Sequence, residues 1–333
     1  MNLETISLSD WDDALPERGY EPFHTAAALE VVADHATGDL ELLCGYKGDR
    51  PVALLPLVRR DERVGEAVLS PPPSLGIPRL GPLLMPASPK QRKRESLNRA
   101  FTEAVLDHVG ADGRFTLFRT ICPPGYGDPR PYEWAGLTVE PTFTYRLDVA
   151  GRSLDDIRSG FSRSLRREIR DAEDLDLTLS REGIDGAREV FEATAERYAD
   201  QGRSFPMAWE YVRDLLTAMD EHARVYVLRD GDRFLTGITV LYSADRAYFW
   251  QGGARTVHEG VSVNSLVHWD VLRELVEDPP AGEPTAYDLM GANTERLCRY
   301  KSKFGATLEP YYVVESAGRS MEAAKRAHGL LSR

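Results

Sequence analysis

Lysine is scarce in this chain. Lys47, Lys90, Lys93, Lys301, Lys303 and Lys325 are the only six among 41 basic residues, which face 53 acidic ones for a net charge of −12 over 333 residues. That field excludes general affinity for nucleic acid, which needs concentrated positive charge. Acid excess with little lysine fits the salt-adapted proteome of a halophile, and a GC-rich genome would equally replace lysine by arginine. Cysteine is scarcer still: Cys44, Cys122 and Cys298 lie far apart, which excludes a disulfide framework and gives no zinc-site spacing. Long apolar runs are missing too. The opening MNLETISLSDWDD has no basic start followed by an apolar stretch, and runs such as Val52 to Val58 are too short to span a bilayer. A cytoplasmic protein without stable membrane insertion is expected. There is no Gly-rich phosphate loop with a following Lys-Ser/Thr, no HExxH and no GxSxG elbow. The seven histidines are scattered, none takes a catalytic role, and no metal is expected.

What is present is enough apolar material for a full core, 42% hydrophobic and 9% aromatic, in a chain whose length favours two domains. The run LELLCGYKGDRPVALLPLV reads as two strands joined at Gly48-Asp49, and RVYVLRDGDRFLTGITVL repeats that order around Gly231-Asp232. Gly-Asp turns are common in hairpins, but the preceding helix and the following strands agree as well, so a duplicated domain is the expectation. Helices are predicted over Gln91 to His108, from Ser153 to about Asp174, over Asp185 to Ala199, Pro206 to Met219, Val261 to Val276, Glu295 to Phe304 and Ser320 to Leu331. Ser70 to Pro89 should be an irregular loop, and TAYDLM a short buried strand.

Two segments could carry chemistry. From Ser153, a capping box with Asp156 opens a helix whose inward face is Ile157, Phe161, Leu165, Ile169 and Ala172. Opposite that face stand Arg163, Arg166, Arg167 and Arg170, four guanidinium groups able to fork onto phosphate; a merely solvated face, partly neutralised by Glu168, Asp171, Glu173 and Asp174, is the alternative. The second segment runs from Tyr287 to Ala306. There Asp288 ends an apolar strand, Gly291 allows a close backbone approach, and Lys301 and Lys303, two apart on a helix, diverge. Without a site, Asp288 would cap the next turn and both lysines would face a helix C-terminus ahead of Gly305.

The succession FTYRLDVAGRSLDDIRSGFSRSLRREIRDAEDLDLTLS, FWQGGA and YDLMGANTERLCRYKSKFGATLEPYY resembles the FemAB-like and CelD-like branch of the GNAT superfamily. The Arg-Arg pair ahead of an alanine and an acid is matched by Arg166, Arg167, Ala172 and Glu173. The Tyr-Asp-apolar-x-Gly turn is matched by Tyr287, Asp288, Leu289 and Gly291, and the aromatic-Lys-x-x-Phe-Gly helix end by Tyr300, Lys301, Phe304 and Gly305. Coverage is best from about Thr142 to Tyr312.

The resemblance implies an α/β (α+β) fold of two tandem GNAT-like domains with twisted mixed sheets flanked by helices. These would be residues 1–150, completed by the segment 314–333, and 151–313, which carries the motifs. It further implies an N-acyltransferase, moving an acyl or aminoacyl group from acyl-CoA (as co-substrate) or aminoacyl-tRNA to an amine of a sugar, peptide or cell-envelope precursor, in envelope or polysaccharide biosynthesis. Lys301 and Asp288 would be catalytic, with Arg163, Arg166, Arg167, Arg170, Gly291, Tyr300 and Phe304 binding substrate. The Q/R-x-x-G-x-G/A pyrophosphate loop of ordinary acetyltransferases is absent, which leaves the donor open. A non-catalytic GNAT-like module that binds an anionic precursor is the alternative function.

Overall fold

The computed structural model describes residues 1–316 apart from Asp112, Arg114, residues 253–255 and Ala281. The helix expected over Ser320 to Leu331 and the segment beyond Ser316 lie outside the described residues. The chain forms two compact units, Met1–Thr142 with residues from Pro310 onward, and Phe143–Glu309.

In the first unit, β1 (Asn2–Thr5) leads into α1 (Leu8–Ala14), which Ser7 caps by accepting from Asp10 N, and then α2 (Ala26–His35). A hairpin follows, β2 (Asp39–Lys47) and β3 (Arg50–Asp61), whose turn places Gly48 at φ +62°, where a side chain would be strained. Strand β4 (Glu66–Ser70) adds antiparallel to β3, and β5 (Leu83–Leu84) touches β3 further along. The 18-residue helix α3 (Gln91–His108) then carries the chain over to β6 (Thr116–Ile121), parallel to β4, followed by α4 (Arg130–Trp134). Residues Val313–Glu315 of the last strand pair antiparallel with β6. Leu43, Leu55, Leu57, Val68, Phe101, Val105, Phe118 and Val314 meet in this unit's core.

The second unit repeats that order. It begins in β7 (Thr138–Asp148) and continues through α5 (Leu154–Ser159), α6 (Arg163–Glu173), β8 (Thr178–Glu182), α7 (Ile184–Ala199) and α8 (Trp209–Met219). A second hairpin, β9 (Ala223–Asp230) and β10 (Arg233–Tyr242), turns at Gly231 with φ +55° and takes β11 (Arg246–Gly252) antiparallel on β10. After a small hairpin, β12 (Val257–His258) and β13 (Val261–Ser262), helix α9 (Asn264–Glu277) leads to β14 (Ala286–Asp288), parallel to β11. Helix α10 (Glu295–Lys301) and β15 (Thr307–Glu315) follow. Within the unit, β7 closes antiparallel on β14 as β15 closes on β6 in the first. Each unit is thus a mixed α/β sheet of four antiparallel strands, β1–β4 or β8–β11, a helical crossover, one parallel strand and a closing strand.

The predicted helix over Ser153 to Asp174 is two helices. The capping box forms as read, Ser153 Oγ accepting from Asp156 N and the Asp156 carboxylate accepting from Ser153 N. Helix α5 stops at Gly160, and Ser162 opens α6 by accepting from Leu165 N. The inward residues Ile157, Phe161, Leu165, Ile169 and Ala172 are all buried in the second core despite the break. Phe161 sits between the helices, edge-on to Trp269 and Phe304 with centroids 5.8 and 5.6 Å away.

Candidate functional site

Strand β14 runs beside β11 only as far as Asp288, opposite Tyr248, whereas β11 continues to Gly252. Where the parallel pair parts, the chain turns sharply: Met290 and Gly291 both adopt positive φ, +55° and +47°. Such a conformation is costly for methionine and needs support from its surroundings. Asp288 supplies it. Its carboxylate is fully buried and accepts from Met290 N at 2.8 Å and from the Thr144 hydroxyl of β7 at 2.5 Å. Arg246 lies 3.8 Å from its other oxygen and also pairs with Glu309 at 2.9 Å.

The turn points its carbonyls at Lys301. The ammonium at the end of α10 is 5% exposed and donates to Met290 O and, at 3.1 Å, to Gly291 O; it also lies 5.6 Å from the Phe249 ring centroid. Burial lowers its pKa from 10.5 to about 8, an effect opposed by the Asp288 carboxylate and reinforced by nearby Arg197. Lys303 points elsewhere and pairs with Glu168 at 2.9 Å, as the helical spacing predicted. Two of the three ammonium N–H groups of Lys301 are spoken for by the turn.

Behind this clamp lies an aromatic wall. Phe304 is fully buried and packs against Phe161, Tyr300 and His268, so its ring is core, while Tyr300 is half-buried beside it. His268 is 2% exposed, and its Nδ1 lies 2.9 Å from the Tyr287 hydroxyl. Burial, with Lys301 adding to it, holds its pKa down to about 3, so it is neutral. Thr144, Arg246, Phe249 and His268 were not among the sequence candidates. Thr144 and Phe249 lie in the FTYRLDVA and FWQGGA segments that carry the resemblance, but what marks them, with Arg246 and His268, is their place on strands flanking β14 and on α9.

The arginines of α6 separate into two groups. Arg166 and Arg170 line an open pocket of about 310 Å³ with Asp155, Arg158 and Ser159 of α5. Arg158 is anchored there by Glu173 at 2.7 Å and stacks 5.2 Å from the Trp269 ring centroid. Arg163 and Arg167 are exposed and outside that lining, Arg167 being 3.8 Å from Asp171. The pocket includes neither Lys301 nor Asp288. Lys301, Asp288 and Gly291 therefore come together at one place, and Arg166 and Arg170 at another. Among the described residues no group of three or more His, Cys, Asp or Glu could hold a metal ion.

Residues 159–302, which include the parting strands and Lys301, match the family described as acetyltransferase (GNAT) domain. This segment is a GNAT acetyltransferase domain, of the N-acyltransferase class. No curated protein matches the chain. Among solved structures it is similar to FemX, with 10% identity and a TM-score of 0.71 over 94% of this chain and 97% of that one. The C-terminal domain of a putative lysylphosphatidylglycerol synthetase from Agrobacterium fabrum is similar with 14% identity and a TM-score of 0.56, covering 97% of this chain and 96% of that one. A tandem GNAT protein from the clavulanic acid biosynthesis pathway has 14% identity and a TM-score of 0.51 over 95% and 98% of the two chains. At these identities the likeness is one of fold. It is the FemX-like, tandem GNAT fold that the repeated strand order displays.

Proposed function

We propose that the protein transfers an activated acyl or aminoacyl group to an amine on a sugar, peptide or cell-envelope precursor in the cytoplasm, with Lys301 as the charged group at the reacting carbonyl. The observation that carries this reading is the Lys301 clamp: an ammonium nearly shut off from water, held by two carbonyls where β11 and β14 part, inside the GNAT segment. In the reaction the amine nitrogen bonds to the acyl carbon, and the carbonyl oxygen takes up negative charge in a tetrahedral intermediate. The C–S or C–O bond to the carrier then breaks, and the carrier leaves with the proton that the amine gives up. The third N–H of Lys301 serves the oxyanion, and the low-dielectric surroundings strengthen that contact. Asp288 acts through the backbone, holding Met290 and Gly291 so that the ammonium is aimed.

Arg166 and Arg170 provide a place for phosphate. Both donor classes, a coenzyme A thioester and an aminoacyl-tRNA, carry phosphates well away from their acyl group, so a separate anion pocket suits either. The net charge of −12 disfavours the extended contacts of a tRNA, and a small thioester is preferred. The FemX and lysylphosphatidylglycerol synthetase folds support an envelope precursor as acceptor.

A second reading has an observation of its own in its favour. The Arg pocket and the clamp share no lining residue, and Lys301 already has two partners, as a purely structural lysine in a non-catalytic binding module would. Comparing Lys301→Met with Lys303→Met in an acyl-donor and amine screen separates the two. Loss of one electrostatic donor costs about 2.7 to 4 kcal/mol, roughly a hundredfold to a thousandfold in turnover. Lys301→Met should show that loss with donor binding retained, and Lys303→Met should stay near wild type. Equal, small effects at both positions would leave the binding module.

A further inference from the structure

The first turn of α3 is chemically out of place. Lys90, Arg92, Lys93 and Arg94 put four cations into five residues and use two of the chain's six lysines. All four are exposed, and among the described residues none forms an ion pair. The nearest acid on the helix, Glu95, is already engaged by Arg130 at 2.9 Å and by Gln91 at 3.0 Å. Helices favour acidic residues at this end, where the peptide dipole is positive. Here α3 has none in its first turn and no side-chain cap; α2, α6 and α9 also lack an acid there, but α1, α5, α7, α8 and α10 each carry one, and cations at this end oppose the dipole. Helix stability therefore does not account for the cluster.

Beside it stands an exposed aromatic. Glu95 links the cluster to Arg130 of α4, and the Arg130 guanidinium lies 5.5 Å from the ring centroid of Trp134. Trp134 is 62% exposed, as Phe115 is at 54%, whereas Trp11, Phe101, Phe118 and Tyr132 of the same unit are buried. Arg130 is itself neutralised by Glu95 and by Asp128 at 2.6 Å, so the free charge here is that of Lys90, Arg92, Lys93 and Arg94, and an indole presented to solvent on the neighbouring helix suits, with them, the boundary between lipid headgroups and acyl chains.

We propose that this part of the first unit, Lys90, Arg92, Lys93 and Arg94 with Trp134, docks the protein peripherally on an anionic lipid surface. Charge complementarity selects the partner. A bilayer is flat and meets one patch of an otherwise acidic molecule, whereas a nucleic acid long enough to use four cations would extend over repelling surface. No helix among the described residues is long and apolar enough to cross a membrane. Such docking would bring a cytosolic transferase to acceptors carried on lipid, but it does not depend on Lys301 or on any transfer reaction.

The test is co-sedimentation of the full chain with vesicles of phosphatidylcholine alone and of phosphatidylcholine with phosphatidylglycerol, at low and high salt, alongside binding to a bulk tRNA. Binding should require phosphatidylglycerol and weaken with salt. It should fall by at least about tenfold in the Lys90→Gln/Arg92→Gln/Lys93→Gln/Arg94→Gln variant. Trp134→Ser should weaken it further at fixed charge, and its thermal melt should match wild type because the side chain is exposed. Equal binding to both vesicle types, undiminished binding of the quadruple variant, or binding to tRNA through these residues without binding to vesicles would each overturn the proposal.

Discussion

An ammonium group in a place that water barely reaches makes opposing demands on stability and on catalysis. In the folded protein Lys301 has a pKa of about 8 against an ordinary 10.5, chiefly because burial penalises its charge. Between those two values the unfolded chain binds the proton more strongly than the folded one. Folding stability therefore rises as pH climbs from about 8 to 10.5, and below 8 the charged form carries its full desolvation cost. Turnover should run the other way. If the charged form stabilises the oxyanion, the rate falls as pH passes through 8 and the donor is lost; a general base at this position would instead gain rate there. A pH–rate profile at saturating donor, paired with denaturant melts from pH 7 to 10.5, tests both. The expected result is a rate declining with an apparent pKa near 8, with a rising stability slope that Lys301→Met lacks. A rate that increases through pH 8 would remove the ammonium from its proposed role.

At the scale of elements, the site depends on how α10 is fixed to the α5–α6 joint. Ser162 N donates to Lys303 O at 2.8 Å just where α5 gives way to α6, and Gly305 ends the following turn at φ +66°. A Cβ on Gly305 would collide with Gly160 O in that joint. The glycine thus meets two conditions at once, a left-handed backbone and a close approach. Gly231, at φ +55° in the β9–β10 hairpin, meets only the first, because a Cβ there finds nothing within 4 Å. Alanine at either position should cost about 1–3 kcal/mol for the backbone conformation alone. Gly305→Ala should cost measurably more than Gly231→Ala, and should also lower activity by shifting Lys301. Equal losses in a denaturant series would mean that the joint yields and does not hold α10.

For the whole molecule, legibility in sequence followed the range of the interactions. The two Gly-Asp hairpins, the Ser153 capping box, the inward face from Ile157 to Ala172 and the divergence of Lys301 from Lys303 are set by residues within a few positions of each other, and all were readable. The break at Gly160 was not, because Ser162 N there donates to Lys303 O and Gly160 is approached closely by Gly305, both far along the chain. Short strands such as β1 and β8, and the helix α1, carry too few residues for their periodicity to stand out. That Asp288 caps the turn after its strand was open to the sequence as the alternative to a site, and Met290 N does donate to it; that Thr144, 144 residues away in sequence, also holds the carboxylate was not.

The first unit depends on the longest-range contact of all, since its sheet and core use residues from beyond Pro310. Val314 is fully buried with Leu43, Phe118 and Tyr132, and it lies opposite Thr120 on β6; Val313, its neighbour, faces the other side of the strand and is only half-buried. A carboxylate at position 314 would be buried with no partner, a change that costs several kcal/mol in general, at least about 3. At 313 the same carboxylate keeps part of its hydration. Val314→Asp should therefore unfold the first unit at a denaturant concentration where Val313→Asp remains folded. Limited proteolysis during that transition should cut within residues 1–142 before it cuts within 143–309, whose own core cluster does not include Val314. If the two substitutions destabilise equally, or if cleavage begins in 143–309, the returning strand is not what completes the first unit's core.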